Sequence, residues 1–436
     1  MSHVDEILFI EGGRVIDPAS GTDGVRTVVV REGRIAEVAE RVERPRGARV
    51  IDARGKWVTP GLVDLHVHLR EPGHEYKETV ATGARAAVAG GFTAVCAMPN
   101  TVPVNDNASV TELILARAAA AGLARVYPVG AISKGSKGEE LAEYGELRGA
   151  GCVALSDDGK PVMSSALMRR ALEYARAFGL PLTVHEEDLG LVGKGVMHEG
   201  PAATRLGLKG IPAASEEVMV SRDLALVELT GGRLHIAHLS TAGAVRAVRE
   251  AKRRGLSVTA EVTPHHLTLT DEDLARSSYD PSFKMNPPLR SAEDVRALRE
   301  GLADGTIDCI ATDHAPHSAV EKDLEFDAAA NGIVGLETAF PVCLALVREG
   351  LLGDRRLIEA LTAAPARAFG LPAGSLASGA PADLALLDPG LEWRCDPARF
   401  HSKSRNSPWK GRALIGRCTH AFVGGRLVHE LGEGAR

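Results

Sequence analysis

Across its middle, the chain alternates short apolar runs of strand character with amphipathic stretches of helix length, and no other feature constrains the fold as tightly. The apolar runs end near His68, Pro99, Gly130, Ser156, His185, Leu239, Thr263 and Asp313. Helix-like segments lie between them, among them 110–122, 165–179, 215–229, 242–254 and 292–302. Strands that alternate with helices in this way predict a parallel sheet covered by its own crossovers. Eight such units over roughly 300 residues fit a (β/α)8 barrel. A doubly wound sheet would need a glycine-rich phosphate loop after an early strand, and the sequence has none.

Both ends of the chain have a different texture. The first sixty residues read as short strands at 7–10, 27–30, 34–38 and 50–51, with Glu11-Gly12-Gly13-Arg14 as a turn. The tail repeats the pattern, with a strand at 382–387 and a hairpin at 421–428 turning through Gly424-Gly425. A chain of 436 residues exceeds what one hydrophobic core usually serves. The expected division is one half of a small β-sandwich at 1–58, the barrel at 59–368 and the other half of the sandwich at 369–436.

Composition excludes several classes of partner. A hydrophobic content of 44% with 25% charged residues is that of an ordinary soluble protein. A net charge of -6 leaves no basic footprint for nucleic acid. No apolar stretch is long enough to cross a membrane, and the opening Met1-Ser2-His3-Val4-Asp5-Glu6 is polar rather than leader-like. Six cysteines lack metal or redox spacing and read as reduced core residues of a cytoplasmic protein.

Barrel enzymes keep their chemistry at the C-terminal ends of the strands. Here those ends carry His66 and His68 on the first strand, Asp157-Asp158 on the fourth, His185 on the fifth, His238 on the sixth and Asp313 on the eighth. Alternate residues of a strand point to one side, so His66 and His68 can close on one ion. Imidazole and carboxylate ligands suit zinc, and a set this large suits two ions with a shared carboxylate. Arg70, one further step of two along, offers a planar fork to a substrate carboxylate at the same mouth.

These residues resemble the amidohydrolase superfamily and, within it, the bacterial long-chain dihydroorotases. The likeness rests on His66-Val67-His68-Leu69-Arg70-Glu71-Pro72-Gly73, Met98-Pro99-Asn100-Thr101, Ser156-Asp157-Asp158-Gly159, Lys284-Met285-Asn286-Pro287-Pro288-Leu289-Arg290 and Thr312-Asp313-His314-Ala315-Pro316-His317. Gly379-Ala380-Pro381-Ala382-Asp383-Leu384 resembles the superfamily's sandwich. The resemblance implies one zinc held by His66, His68 and Asp313, and a second held by His185 and His238. Asp158 and a hydroxide would bridge the two. Many relatives use a carbamylated lysine as the bridge; here family spacing favours Asp158 over Asp157, with Lys160 the nearby lysine.

The implied reaction is reversible hydrolysis of (S)-dihydroorotate to N-carbamoyl-L-aspartate, run as ring closure in pyrimidine synthesis, with Asp313 moving the proton. Substrate contacts are expected from His68, Leu69, Arg70, Asn100, Asn286, His317, Asn331 and Gly332. Relatives often carry an aromatic residue where Asn331 stands. Hydantoin or allantoin hydrolysis is the rival activity. A non-catalytic subunit of aspartate transcarbamoylase is a third reading, and an active complex with that enzyme or a homodimer is compatible with the sequence. His235 is expected on the strand face opposite His238, with His265, His266 and His314 supporting the ligands. The polar stretch 313–332 reads as a loop that brings His317 into the site only on closure.

Overall fold

A computed structural model of the chain describes residues 7–432; the polar opening at 1–6 and the last four residues lie outside the described residues. Eight parallel strands pair in chain order: Leu62–Val67, Phe92–Ala97, Arg125–Gly130, Ala154–Leu155, Leu182–Val184, Leu234–Ile236, Val258–Val262 and Cys309–Ile310. The ring closes through the first and eighth strands. The His68 amide donates to the His314 carbonyl at 2.9 Å. Buried Asp64, on the first strand, accepts from the Thr312 amide at 3.1 Å and the Thr312 hydroxyl at 2.6 Å. The barrel is therefore sealed directly beneath the rim where the histidines emerge.

The outer helices start where the sequence supplies a cap. Thr79, Asn107, Ser164, Thr241 and Ser291 each accept a backbone N–H from the first turn of the helix that follows. Helix Ala242–Arg253 buries Ala244, Val245, Val248 and Ala251, an apolar stripe at helical spacing that faces the sheet. Small barrel residues, including Ala94, Cys96, Val129, Ala154 and Cys309, form one cluster with Phe369 of helix Ala363–Phe369. All six cysteines are buried and unpaired, as the scattered spacing predicts.

The second unit joins both ends of the chain. Strands Leu8–Asp17, Thr22–Arg31, Arg34–Ala39, Arg49–Asp52 and Trp57–Pro60 share an eight-stranded sheet with Leu384–Arg394, Ala413–Val423 and Arg426–Glu430. Trp57–Pro60 is the seam, parallel to Leu8–Asp17 and antiparallel to Leu384–Arg394. Ile10, Val28, Ile35, Val58, Leu384 and Phe422 build the core of this β-sandwich. One expectation fails here: Glu11-Gly12-Gly13-Arg14 is not a turn. The strand runs straight through it with a register shift between Ile10 and Gly13, and Gly12 takes φ +80°. A glycine pair satisfies a β-bulge as readily as a hairpin turn, and pairing with Arg49–Asp52 decides for the bulge. Among the described residues no helix is long and apolar enough to cross a membrane.

Candidate active site

Three of the rim residues sit on left-handed backbone: Arg70 at φ +62°, His238 at +32° and Asp313 at +45°. Non-glycine residues hold such angles only where surrounding structure enforces them, and these three lie just past the ends of strands one, six and eight. The result is a convergence of imidazoles and carboxylates. Asp158 lies 3.3 Å from His66 Nε2, 3.5 Å from His68 Nε2 and 3.6 Å from His238 Nε2. Asp313 Oδ1 lies 3.0 Å from His68 Nε2 and 3.6 Å from His66 Nε2. His185 Nδ1 meets His238 Nε2 at 3.0 Å.

Three overlapping triads have their potential ligand atoms within 4.8 Å of one another: His66, His68 and Asp158; His66, His238 and Asp313; Asp158, His185 and His238. Asp158 belongs to the first and last of these. Asp157 turns away, accepting from the Ser133 amide at 3.0 Å and from its hydroxyl. Lys160 is exposed and outside the cluster. His66 Nε2 is buried, makes no well-formed hydrogen bond, and faces Asp158 and Asp313, so a cation placed among the three would satisfy all of them. The donor set is nitrogen and oxygen only, which fits a divalent metal such as zinc.

Electrostatics agree. Burial alone would raise the Asp158 and Asp313 carboxyls, but neighbouring histidines, His66 foremost, hold both below the ordinary carboxylate range. Burial disfavours the His66 imidazolium, and Asp158 and Asp313 overcome that and hold its pKa well above the usual value. Two anions facing four imidazoles is a centre balanced for added positive charge.

A second layer fixes which nitrogen faces inward. His66 Nδ1 meets Glu261 Oε1 at 2.9 Å, and the other Glu261 oxygen meets His235 Nε2 at 3.1 Å. His235 Nδ1 ends the chain on the Thr259 hydroxyl at 2.8 Å. His235 is thus inside the barrel, not on the opposite face; its strand stops at Ile236, so alternation does not carry through to His238. His68 Nδ1 meets Asn100 Oδ1 at 2.9 Å, and His185 Nε2 meets Glu187 at 3.3 Å. His314 Nε2 meets Glu78 at 3.3 Å and its Nδ1 accepts from the Gly335 amide at 3.2 Å, so its ring bonds to none of the expected ligands.

Glu261, Glu187 and Asp64 escaped the sequence reading. Glu261 is a lone acid inside the buried run Val258–Val262, and a buried charge demands a partner, so the signal was present. Despite burial, His235 and His66 pull its pKa down to about 2. Such carboxylate–histidine pairs orient metal ligands, and their loss typically weakens metal affinity by about 10- to 100-fold. Glu261→Gln is expected to show a loss of that size in competition with a chromophoric chelator.

A cavity of about 220 Å³ opens over the cluster, lined by His68, Arg70, Asn100, Asn286, His317 and Asn331 among others. Asp158, His185, His238 and Asp313 also reach it, whereas His66 is fully buried. Asn286 donates to Glu187 at 3.3 Å, leaving its buried Oδ1 without a partner. Two expected contacts are not brought to the wall. The Leu69 side chain packs onto helix Val80–Gly90, so close that a Cβ on Gly83 would meet it at 2.5 Å. The Gly332 amide donates to Lys284 O at 2.9 Å, and its carbonyl accepts from Asn406 and Lys322. His317 departs from expectation in the other direction: it already lines the cavity, with Nε2 3.4 Å from Arg70 Nη2. The stretch after Asp313 is held by a short helix, Ala319–Lys322, capped by Ser318 and Glu321.

Comparison with known proteins gives a consistent answer. A family model described as dihydro-orotase-like matches residues 55–244. A dihydroorotase of Anaeromyxobacter sp. (strain K) is 81% identical, covering 99% of this chain and 100% of its own length. The dihydroorotase of Geotalea daltonii is 55% identical, over 97% of this chain and 99% of its own. Among solved structures, an L-hydantoinase (dihydropyrimidinase) from Arthrobacter aurescens superposes with a TM-score of 0.86 at 27% identity, covering 98% of this chain and 96% of its own. Likeness at this identity over nearly the whole length, together with the His/Asp rim of a closed barrel, shows that the chain belongs to the dihydroorotase family of the amidohydrolase superfamily.

Proposed function

We propose that the chain is a two-zinc dihydroorotase interconverting (S)-dihydroorotate and N-carbamoyl-L-aspartate, with ring closure serving pyrimidine synthesis. The observation that carries the substrate assignment is Arg70. Its guanidinium is largely buried in the cavity wall above the His/Asp cluster, and its partners are the Pro316 carbonyl and His317 Nε2, neither of them an anion. The Asp313, Asp158 and Glu321 carboxylates act on it only through space and none bonds to it, so a substrate carboxylate can supply the direct charge-assisted pair. Hydantoin and dihydrouracil lack that acid.

In this reading His66, His68 and Asp313 would hold one ion and His185 and His238 the other, with Asp158 within reach of both. When bound, the metals lower the pKa of water toward neutrality and polarise the scissile amide carbonyl. The protein's own groups do the rest. Asp313 accepts the proton of the attacking water and returns it to the leaving ring nitrogen. The neighbouring histidines hold it below the ordinary carboxylate range, so it is ionised at neutral pH. Arg70 and His317 take the exocyclic carboxylate, and Asn286 Oδ1 accepts a ring N–H.

The test is turnover of (S)-dihydroorotate by protein stripped with a chelator and reloaded with zinc, with hydantoin and allantoin alongside. Stripping is expected to abolish ring opening, and reloading to restore it at two equivalents of zinc per chain. Full activity at one equivalent would remove the two-ion reading. Equal efficiency on hydantoin would move the assignment to a hydantoinase.

A further inference from the structure

Glu321 ties the segment after the eighth barrel strand to the segment after the first, next to the cavity. It sits on the short helix Ala319–Lys322, in the segment after the eighth barrel strand. One of its oxygens receives Lys77 Nζ at 2.7 Å and the Tyr76 hydroxyl at 3.3 Å, both from the segment that follows the first strand. The other oxygen caps its own helix, accepting from the Ser318 amide at 3.0 Å and hydroxyl at 2.8 Å. That same oxygen lies 3.7 Å from His317 Nδ1, a buried nitrogen with no hydrogen-bond partner of its own.

The other side of the imidazole sets the chemistry. Arginine only donates, so His317 Nε2, 3.4 Å from Arg70 Nη2, must present its lone pair. The neutral ring then carries its hydrogen on Nδ1, toward Glu321. In that tautomer Nε2 repels a carboxylate arriving between His317 and Arg70. A proton on Nε2 turns it into a donor and makes an imidazolium, which needs an anion behind it.

We propose that Glu321 is a positioning residue for substrate binding: it backs His317 at Nδ1, so that the ring takes one proton from solvent at Nε2 as a carboxylate docks against Arg70. This rests on the reading of the cavity as a carboxylate site. The groups facing His317 are Arg70 and Lys77 from the first segment and Lys322 and Glu321 from the short helix. Burial and the three cations push His317 down to about 3, so it is neutral near pH 7 until a second anion arrives. Carboxylate binding is therefore linked to proton uptake and tightens as pH falls across the neutral range.

Orotate serves as the probe, because it keeps the ring carboxylate and its aromatic ring resists opening. Calorimetric titration into the metal-loaded full chain at pH 6.5, in buffers of different ionisation enthalpy, counts the protons taken up. Wild type is expected to exceed His317→Asn by about one proton per orotate. Glu321→Gln is expected to lose most of that difference and bind orotate more weakly by on the order of tenfold, with KM rising rather than kcat falling. Lys77→Met, which cuts the latch between the two segments but leaves Glu321 behind His317, is expected to keep wild-type uptake. Glu321→Asp, with its carboxylate one methylene short, is expected to fall between. Wild-type uptake in Glu321→Gln, or equal loss in Lys77→Met, would overturn the proposal. Should His317→Asn match wild type in both affinity and uptake, the carboxylate reading itself fails, a result distinct from failure at Glu321.

Discussion

Asp313→Asn is expected to lower kcat for (S)-dihydroorotate by about 10²- to 10⁴-fold, the usual worth of a positioned acid–base group. Asp313 Oδ1 stands 3.0 Å from His68 Nε2 on strained backbone at the cavity wall, held ionised by His66, His68 and His238. An amide of the same shape cannot take up a proton, yet it keeps one oxygen toward the metal. Metal content measured on the same sample separates the two roles. Loss of turnover with metal retained identifies proton transfer as the missing function. Loss of metal together with turnover would reduce Asp313 to a ligand.

Arg70→Met should be nearly as severe, but only for substrates that carry the acid. Removing one partner of a desolvated charge pair costs about 2–5 kcal/mol, roughly 30- to 5,000-fold in kcat/KM. The loss should appear with (S)-dihydroorotate and not with dihydrouracil, the same ring without its carboxylate. Arg70→Lys should recover only part of it, since an ammonium lacks the planar fork and cannot also reach the Pro316 carbonyl in the same geometry. Equal losses on both substrates would mean that Arg70 supports the cavity rather than reads the acid.

Most of the fold was legible because it rests on periodicities that tertiary structure reinforces. The eight apolar runs are the eight barrel strands, and the capping residues start helices close to where the amphipathic pattern begins. The bulge at Gly12-Gly13 was not legible, because only a partner strand distinguishes it from a turn. The convergence of histidines and aspartates was legible through strand-end position and family spacing, and Asp158 rather than Asp157 faces the histidines. His235 shows where the strand rule stops: alternation was carried past the last paired residue, where the backbone had already turned. Glu261 and Asp64 show the complementary gap. They occupy alternate positions of strands already recognised, and a charge inside an apolar run could have been asked for its partner. Leu69 and Gly332 could not have been placed from sequence, since what removes them from the cavity is packing against Gly83 and hydrogen bonding to Lys284, Asn406 and Lys322.

The central claim is that a His/Asp metal centre opens ring amides here only when an adjacent acid is held by Arg70. The direct measurement is kcat/KM of the zinc-loaded protein for (S)-dihydroorotate against dihydrouracil. The account predicts a preference of at least about 10³-fold for dihydroorotate, because without the carboxylate the buried guanidinium stays unpaired in the transition state. Comparable turnover of the two would contradict it, leaving the metal centre but not the substrate assigned to it.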